Sequence, residues 1–308
     1  MQLFESLDLP GNFRNPVLTI GNYDGIHVGH RAIIDIVKRR AREIDGTSML
    51  MTFNPHPLQV LRPDKVPPAI TPVQEKLRLI EETGIDVLLM VPFTEEFSQS
   101  TPEAFVRDTL LGRLGVKGVV VGYDFRFGRG GRGDVEGMRR YAQSFGFFVE
   151  VVEAVTIGGE KVSSNRIRRL LQHGEVEHAG LLLGRPYMIG GEVVQGKGRG
   201  RTFGFPTINL RTTASLIPPN GVYISEVERE GRRLHSVTNI GNNPTFGMQE
   251  RTVETFILDY EGDLYGQTAR LFLHRRVRDE VRFNDVAELT KQIGRDVAAA
   301  REYFAERP

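Results

Sequence analysis

Up to about residue 184, short apolar runs alternate with stretches of helical periodicity. The runs are Val17–Ile20, Ser48–Phe53, Asp86–Val91, Lys117–Val121 and Phe147–Val152. Val17–Ile20 reads as a buried parallel strand, and the other runs are strand-like. Helix patterns fall between them, near 29–44, 72–83, 102–111 and 134–144. In the first of these, Ile33, Ile34 and Val37 recur at the three-to-four spacing of one helix face. Strand–helix alternation predicts βαβ units around a parallel sheet. Ligands of such sheets bind beyond the carboxyl ends of the strands, where the strand order reverses. Gly21, Asn54 and Gly122 each follow a predicted strand end and open a polar loop, so the three loops are expected at one rim.

From about Arg185 the texture changes to short alternating segments: Glu192–Gln195, Val222–Val227, Thr252–Asp259 and Ala269–His274. Turn signals such as Pro218-Pro219-Asn220-Gly221 and Glu230-Gly231 separate them. This pattern predicts a small antiparallel barrel. A helix closes it, with Asp285 and Glu288 spaced as a capping box. Leu289, Ile293, Val297, Ala300 and Phe304 form its apolar stripe, a face for packing onto the barrel. The change near Gly184–Pro186 gives two domains, 1–184 of class α/β and 185–308 of class β. Two domains also fit a chain of 308 residues, since single cores stop growing at about 250–300 residues.

Composition narrows the class of protein. A net charge of +1 gives no overall pull toward nucleic acid or an anionic membrane. The chain has no cysteine, which excludes disulfides and thiolate chemistry and fits a reducing cytoplasm. Met1-Gln2-Leu3-Phe4-Glu5 lacks the basic and apolar regions of a signal peptide. No apolar run approaches the ~20 residues of a membrane helix. The expectation is a cytoplasmic protein without nucleic-acid or membrane partners; the sequence assigns no oligomeric state.

The most informative segment is Gly21-Asn22-Tyr23-Asp24-Gly25-Ile26-His27-Val28-Gly29-His30, a turn from predicted strand to predicted helix. A helix start offers free backbone N–H groups and a positive dipole end, an anion site. Two imidazoles there can hydrogen-bond phosphate oxygens as charge builds up during nucleotidyl transfer. The alternative, a zinc pair, requires further ligands, and the glutamate of an HExxH motif is absent. Ser163-Ser164-Asn165-Arg166-Ile167-Arg168 opens another helix, and its hydroxyls and guanidiniums suit a polyphosphate or, equally, a capped and solvated helix start. Asn54-Pro55-His56-Pro57 reads as a rigid rim loop or a structural turn. The run Tyr123–Gly133 interleaves aromatics, arginines and glycines, and is read as a mobile loop over an aromatic ligand; it is short for an RNA-binding tract.

In the second half, Gly191–Gly198 approximates a phosphate-binding P-loop but lacks the Ser or Thr that holds magnesium. The following Gly198–Asn209 combines glycines and basic residues with Pro206-Thr207-Ile208-Asn209, a flap over phosphates beside a strand. Thr207 and Asn209 are two apart and share a strand face, where a hydroxyl and an amide oxygen can complete magnesium coordination. Glu254 interrupts Val253, Thr255 and Ile257, so its carboxylate either faces solvent or acts as a general base at a barrel mouth.

Taken in order, these motifs resemble the bacterial bifunctional riboflavin kinase/FMN adenylyltransferases, or prokaryotic FAD synthetases, over essentially the whole chain. The matching elements are Gly21–His30, Thr52–Pro57, Gly122–Gly128, Ser163–Arg168, Gly196–Asn209, Asn239–Phe246, Val253-Glu254 and Leu264-Tyr265-Gly266. The resemblance implies a Rossmann-like nucleotidyltransferase domain followed by a six-stranded riboflavin kinase barrel. It implies phosphorylation of riboflavin to FMN with ATP, then adenylylation of FMN to FAD with release of pyrophosphate. Magnesium and ATP would serve both steps, with riboflavin, FMN and FAD as substrate and products. By position, His27 and His30 would stabilise ATP phosphates, in a site lined by Gly21, Asp24, Gly29, Asn54 and Asp124. Ser163, Ser164, Arg166 and Arg168 would hold the polyphosphate. In the kinase, Gly196, Lys197, Gly198, Gly200 and Thr202 would cover ATP, Thr207 and Asn209 would hold Mg-ATP, and Glu254 would be the base. Two positions depart from the family pattern: Asn165 replaces a Ser or Thr, and Thr255-Phe256 stands where a His is frequent nearby. A single-activity adenylyltransferase with a flavin-sensing barrel is the competing class, and an RNA-binding protein using Arg126, Arg129 and Arg132 is a third.

Overall fold

A computed structural model of the chain describes residues 1–9, 11–196, 204–245 and 248–307, with side chains described outside 243–250. Contacts divide it into two compact units, Met1–Pro68 with Pro72–Ser163, and Ala69–Thr71 with Ser164–Pro308.

The first unit is built on a six-stranded parallel sheet: β1 (Gln2–Phe4), β2 (Val17–Ile20), β3 (Ser48–Phe53), β4 (Val87–Val91), β5 (Gly118–Gly122) and β6 (Phe148–Val152). Their order across the sheet is β1-β4-β3-β2-β5-β6. Alternate residues feed opposite cores, as the two-residue period of a strand requires. Leu18, Met49, Met51, Leu89 and Val119 pack with Phe105, Val106 and Met138 on one face. Val17, Leu50, Leu88 and Val120 pack with Ile34, Val37, Leu79 and Ile80 on the other. Helices therefore cover both faces, which explains why β2 and β4 read as continuous apolar runs. From β2 the chain builds outward through β3 and β4, then returns to place β5 on the other side of β2. This reversal beside β2 is the topological switch point, where a crevice opens at the carboxyl ends of the strands.

The predicted helices form at Val28–Glu43, Val73–Glu81 and Val135–Phe145, while Pro102–Ala104 runs into a wider π-type helix, Phe105–Arg113. There Leu114 N bonds the Thr109 carbonyl, five residues back. Strand β1 and the hairpin β7 (Thr156–Ile157) with β8 (Glu160–Lys161) were not anticipated by the periodicity.

The second unit opens with helices Ser164–Gln172 and Val176–Leu183, so by contacts the division falls before the composition change at Gly184–Pro186. A closed barrel follows: β9 (Tyr187–Val194), β10 (Thr207–Arg211), β11 (Gly221–Arg229), β12 (Arg232–Thr245), β13 (Met248–Ile257) and β14 (Thr268–Arg278). All its pairings are antiparallel, in the order β10-β13-β12-β11-β14-β9. Fully buried hydroxyls replace part of the apolar filling. Ser225 is bonded to Ser236 at 2.7 Å and to Thr238 at 2.8 Å, and Thr238 to Thr255 at 2.8 Å. Each buried hydroxyl thus has a partner, the condition for tolerating it.

The C-terminal helix Val286–Ala305 lies on the outer wall, where Ala300, Tyr303 and Phe304 pack on Val222, Ile224 and Val237. Asp285 caps it by accepting from Glu288 N at 2.8 Å. The return arm of the capping box reaches one residue further than expected, since Glu288 accepts from Asn284 N at 3.3 Å. A buried carboxylate also sits in the helix: Asp296, 3% exposed, accepts Arg278 through Nε at 3.0 Å and Nη2 at 2.7 Å, and Gln292 at 3.0 Å. Among the described residues, no helix is long and apolar enough to cross a membrane. Breaking a buried pair leaves an uncompensated charge, so Asp296→Ala is expected to destabilise the barrel unit by about 3 kcal/mol. Calorimetry would detect this as an earlier unfolding transition, and an unshifted transition would contradict it.

Candidate active sites

In the first unit, the Gly21–His30 segment carries the chain from the end of β2 into helix Val28–Glu43. His27 is the N-cap, and its Nδ1 accepts the His30 backbone N–H at 3.2 Å. A neutral imidazole accepting at Nδ1 carries its proton on Nε2, which makes Nε2 a donor. The His30 ring stacks on His27 with centroids 3.6 Å apart and an interplanar angle of 14°. Gly29 permits this fold-back, because a Cβ there would stand 3.3 Å from the His27 ring. No acidic residue occupies the first turn, so the partial positive charge of the helix start is not offset within the helix. The segment is held in an uncommon backbone shape, with Tyr23 at φ 48° and Ile26 at φ 39°. Tyr23 anchors it from below: its hydroxyl pairs with Thr19 at 2.5 Å, and its ring lies 4.8 Å from that of His30. Burial pushes the Tyr23 phenol up from its ordinary pKa, keeping it neutral.

The loops after β2, β3 and β5 do meet, around a cavity of about 320 Å³ to which Gly21, Pro57 and Gly128 contribute backbone. Phe53, Phe93, Phe97, Phe105, Phe125 and Phe127 supply its walls. These rings touch edge to face or tilted, as in Phe53–Phe93 at 5.4 Å and Phe97–Phe105 at 6.1 Å, while Phe125 and Phe127 stack at 5.5 Å. The Tyr123–Gly133 loop is one wall, fastened by paired backbone bonds between Phe127 and Gly133 of 3.1 and 2.9 Å. Gly128 is required at φ 70°, because a Cβ would fall 2.7 Å from Pro102 N. The sequence reading attached an aromatic ligand to this loop but missed four of the ring walls, which come from distant segments. Asn54 and Asp124 are exposed at the ends of β3 and β5. His56 has a structural use, capping Pro57–Leu61 by accepting Leu58 N at 3.1 Å.

Asp24 is 8% exposed. Beneath the same segment lies Lys76, a residue that the sequence reading did not single out. Its ammonium donates to the Asn22 carbonyl at 2.8 Å and to the Thr52 hydroxyl at 3.2 Å. Burial pushes its pKa down, and the charge of Asp24 pulls it back up.

Ser163 ends the first unit, whereas Ser164, Arg166 and Arg168 lie in the second, on helix Ser164–Gln172. Arg168 is 8% exposed and donates to Asn165 Oδ1 at 2.9 Å. The unusual Asn165 therefore orients an arginine of its own motif.

On the barrel, register partners share a face. Asn209 of β10 stands opposite Glu254 of β13, and Glu254 opposite Asn239 of β12, so the three form one row across the sheet. Val253 and Thr255 are 1% and 2% exposed and fill the interior, so this row lies on the outer face of the wall. Thr207 shares that face two residues along, opposite Phe256. Gly196 completes the row's edge: a Cβ there would meet the Asn209 amide at 2.0 Å. Thr207 also borders a cavity of about 250 Å³ with Pro206, Tyr260, Leu264 and Tyr265. Thr255 belongs to the interior hydroxyl chain and Phe256 packs edge-on against Phe205 at 5.3 Å, so the unusual pair does not interrupt the row. The stretch read as a near P-loop begins as strand, Gly191–Val194 of β9. Lys197, Gly198, Gly200 and Thr202 lie outside the described residues.

Thr207 and Asn209 offer hard oxygen donors on one face, which fits magnesium held through a few protein oxygens and substrate phosphates. Among the described residues, no three His, Asp or Glu gather as a metal cage; magnesium shared with a nucleotide needs none.

Two family models match the chain, one described as FAD synthetase over residues 10–166 and one as riboflavin kinase over residues 183–304. The bifunctional riboflavin kinase/FMN adenylyltransferase of Escherichia coli K12 is 39% identical, over 94% of this chain and 92% of its own length. That of Bacillus subtilis 168 is likewise 39% identical, over 94% and 92%. A crystal structure from Streptococcus pneumoniae, described as a macrolide-efflux protein, matches at TM-score 0.89 with 31% identity, over 97% of this chain and 98% of that one. With both family models in order and relatives covered over 92% of their length, this chain belongs to the family of bacterial bifunctional riboflavin kinase/FMN adenylyltransferases.

Proposed function

We propose that this chain converts riboflavin to FAD in two steps at two separate sites. One observation carries the reading: a histidine stack at a parallel sheet's switch point and a glutamate flanked by two asparagines on a barrel occur in one chain. The division of labour is adenylylation in 1–184 and phosphorylation in 185–308. The efflux description of the Streptococcus pneumoniae protein is not carried over, because two family models and full-length curated relatives agree on the flavin enzymes.

In the kinase, Glu254 accepts the proton of the ribityl 5′-hydroxyl as that oxygen attacks the γ-phosphorus of ATP, and ADP leaves. Asn209 and Asn239 flank the carboxylate and hold its direction. Thr207 and Asn209 would hold magnesium with the ATP phosphates; when bound, the ion neutralises charge on the transferring group. In the adenylyltransferase, a phosphate oxygen of FMN attacks the α-phosphorus of a second ATP, and pyrophosphate leaves. His27 donates through Nε2 and, with His30 and the N–H groups of the helix start, stabilises the charge that develops there. Gly21, Asp24, Gly29, Asn54 and Asp124 line this site, and the hydroxyls and guanidiniums of Ser163, Ser164, Arg166 and Arg168 suit a polyphosphate. Magnesium bound with ATP would supply the same charge neutralisation here. The six-phenylalanine cavity takes the flavin ring system, whose flat apolar faces match stacked and edge-on aromatic walls. Gly196, Lys197, Gly198, Gly200 and Thr202 cover the kinase nucleotide, and the enzyme works in the cytoplasm, where its small-molecule substrates are.

Separate sites require separable losses. His30→Ala is expected to lower FAD formation from FMN by about 10²-fold, by removal of one charge-stabilising donor, with FMN formation unchanged. Glu254→Gln should do the reverse, lowering riboflavin phosphorylation by at least ~10²-fold through loss of the base while added FMN is still adenylylated. Parallel loss of both activities in folded protein would refute the assignment. Unchanged FMN formation in Glu254→Gln would make the barrel a binding module instead.

A further inference from the structure

Lys76 occupies a position that the chemistry of the first site leaves unexplained. Its helix, Val73–Glu81, packs under the carboxyl ends of β2 and β3, and its ammonium reaches into the base of the Gly21–His30 segment. Two groups converge on the Asn22 carbonyl and on each other. Lys76 Nζ donates to it at 2.8 Å, the Thr52 hydroxyl donates at 3.1 Å, and Lys76 Nζ donates to that same hydroxyl at 3.2 Å. Thr52 is fully buried, and Asp24, two residues beyond Asn22, is 8% exposed. Asn22 immediately precedes Tyr23, whose φ of 48° turns the chain toward the histidines. Fixing its carbonyl therefore fixes the turn.

Lys76 is half-buried, and shielding an ammonium from water costs free energy unless a counter-charge and hydrogen bonds compensate it. A neutral donor such as a glutamine would serve a carbonyl and a hydroxyl at lower cost, so the charge itself calls for an explanation. Asp24 supplies it. A shielded carboxylate within a segment that must receive polyphosphate repels its ligand, and the repulsion is strong where water is excluded. A cation bonded to the Asn22 carbonyl, two residues before Asp24, offsets that carboxylate and leaves the helix start and the imidazoles to the phosphates.

We propose that Lys76 is a positioning residue for adenylyl transfer, holding the Asn22 carbonyl and offsetting Asp24 so that the Gly21–His30 segment accepts the phosphates of ATP. The inference rests on the adenylyltransferase reading above. Its test is a double-mutant cycle on full-length protein, measuring FMN adenylylation with riboflavin phosphorylation as the internal control. Lys76→Met is expected to raise KM for ATP by roughly 10-fold or more while Lys76→Arg stays within about 3-fold of wild type, and in an Asp24→Asn background Lys76→Met should add less than about 3-fold. Phosphorylation of riboflavin should be unaffected throughout. An unaltered KM in Lys76→Met, or the same factor of loss in both backgrounds, would overturn the proposal. If Lys76→Met fails to fold, Lys76→Gln takes its place and must raise KM where Lys76→Arg does not. A wild-type enzyme without FMN adenylylation would instead remove the reading on which the inference rests.

Discussion

Transferring a phosphoryl or adenylyl group is chiefly a problem of holding negative charge in place, since the bonds exchanged need little covalent help from protein. The first unit meets that constraint with backbone. Strand β2 ends at the switch point of the sheet, and the helix that follows starts there with its N–H groups unused by the helix itself. Every other feature of the segment serves that junction. His27 caps the helix through one ring nitrogen, Gly29 lets the ring fold back, and Tyr23 supports His30 from a buried hydrogen bond to Thr19. Two non-glycine residues at positive φ are held by these contacts rather than by intrinsic preference.

The barrel meets the same constraint differently. Among the described residues, hydroxyls and apolar side chains fill its interior, and the row proposed for its chemistry lies on the outer face. Register does the positioning: Asn209, Glu254 and Asn239 are aligned because β10, β13 and β12 pair in that register. The C-terminal helix covers the adjacent part of the same wall and is clamped through Arg278 and Asp296. Stability and chemistry are thus neighbours on one surface, with Phe256 and Val237 of the packed patch next in line to Glu254 and Asn239.

Much of this was legible in the sequence, for physical reasons. Strands buried on both faces are largely apolar, so β2 to β5 stand out, and the Asp285 cap and its helix obey local rules. The Gly21–His30 junction was legible because two histidines three apart are set among glycines where a strand turns into a helix. What escaped was whatever depends on packing between distant segments. Phe53, Phe93, Phe97 and Phe105 each read as ordinary core, and only the fold gathers them around a cavity. Lys76 looks like a solvated helix lysine until the helix is laid beneath β2 and β3. Ser225, Ser236 and Thr238 have outward-facing chemistry yet are fully buried, because their partners lie across the barrel strands. Strand β1 is three residues long at an exposed edge, too short to leave a periodic signal.

The central claim is that one chain carries both transfers. The most direct measurement is a time course in which purified protein is given riboflavin, ATP and Mg²⁺ and the flavins are separated by chromatography. The account predicts that FMN appears first and FAD follows, with pyrophosphate released as FAD forms. FMN that accumulates without FAD, or riboflavin left untouched while added FMN becomes FAD, would contradict it.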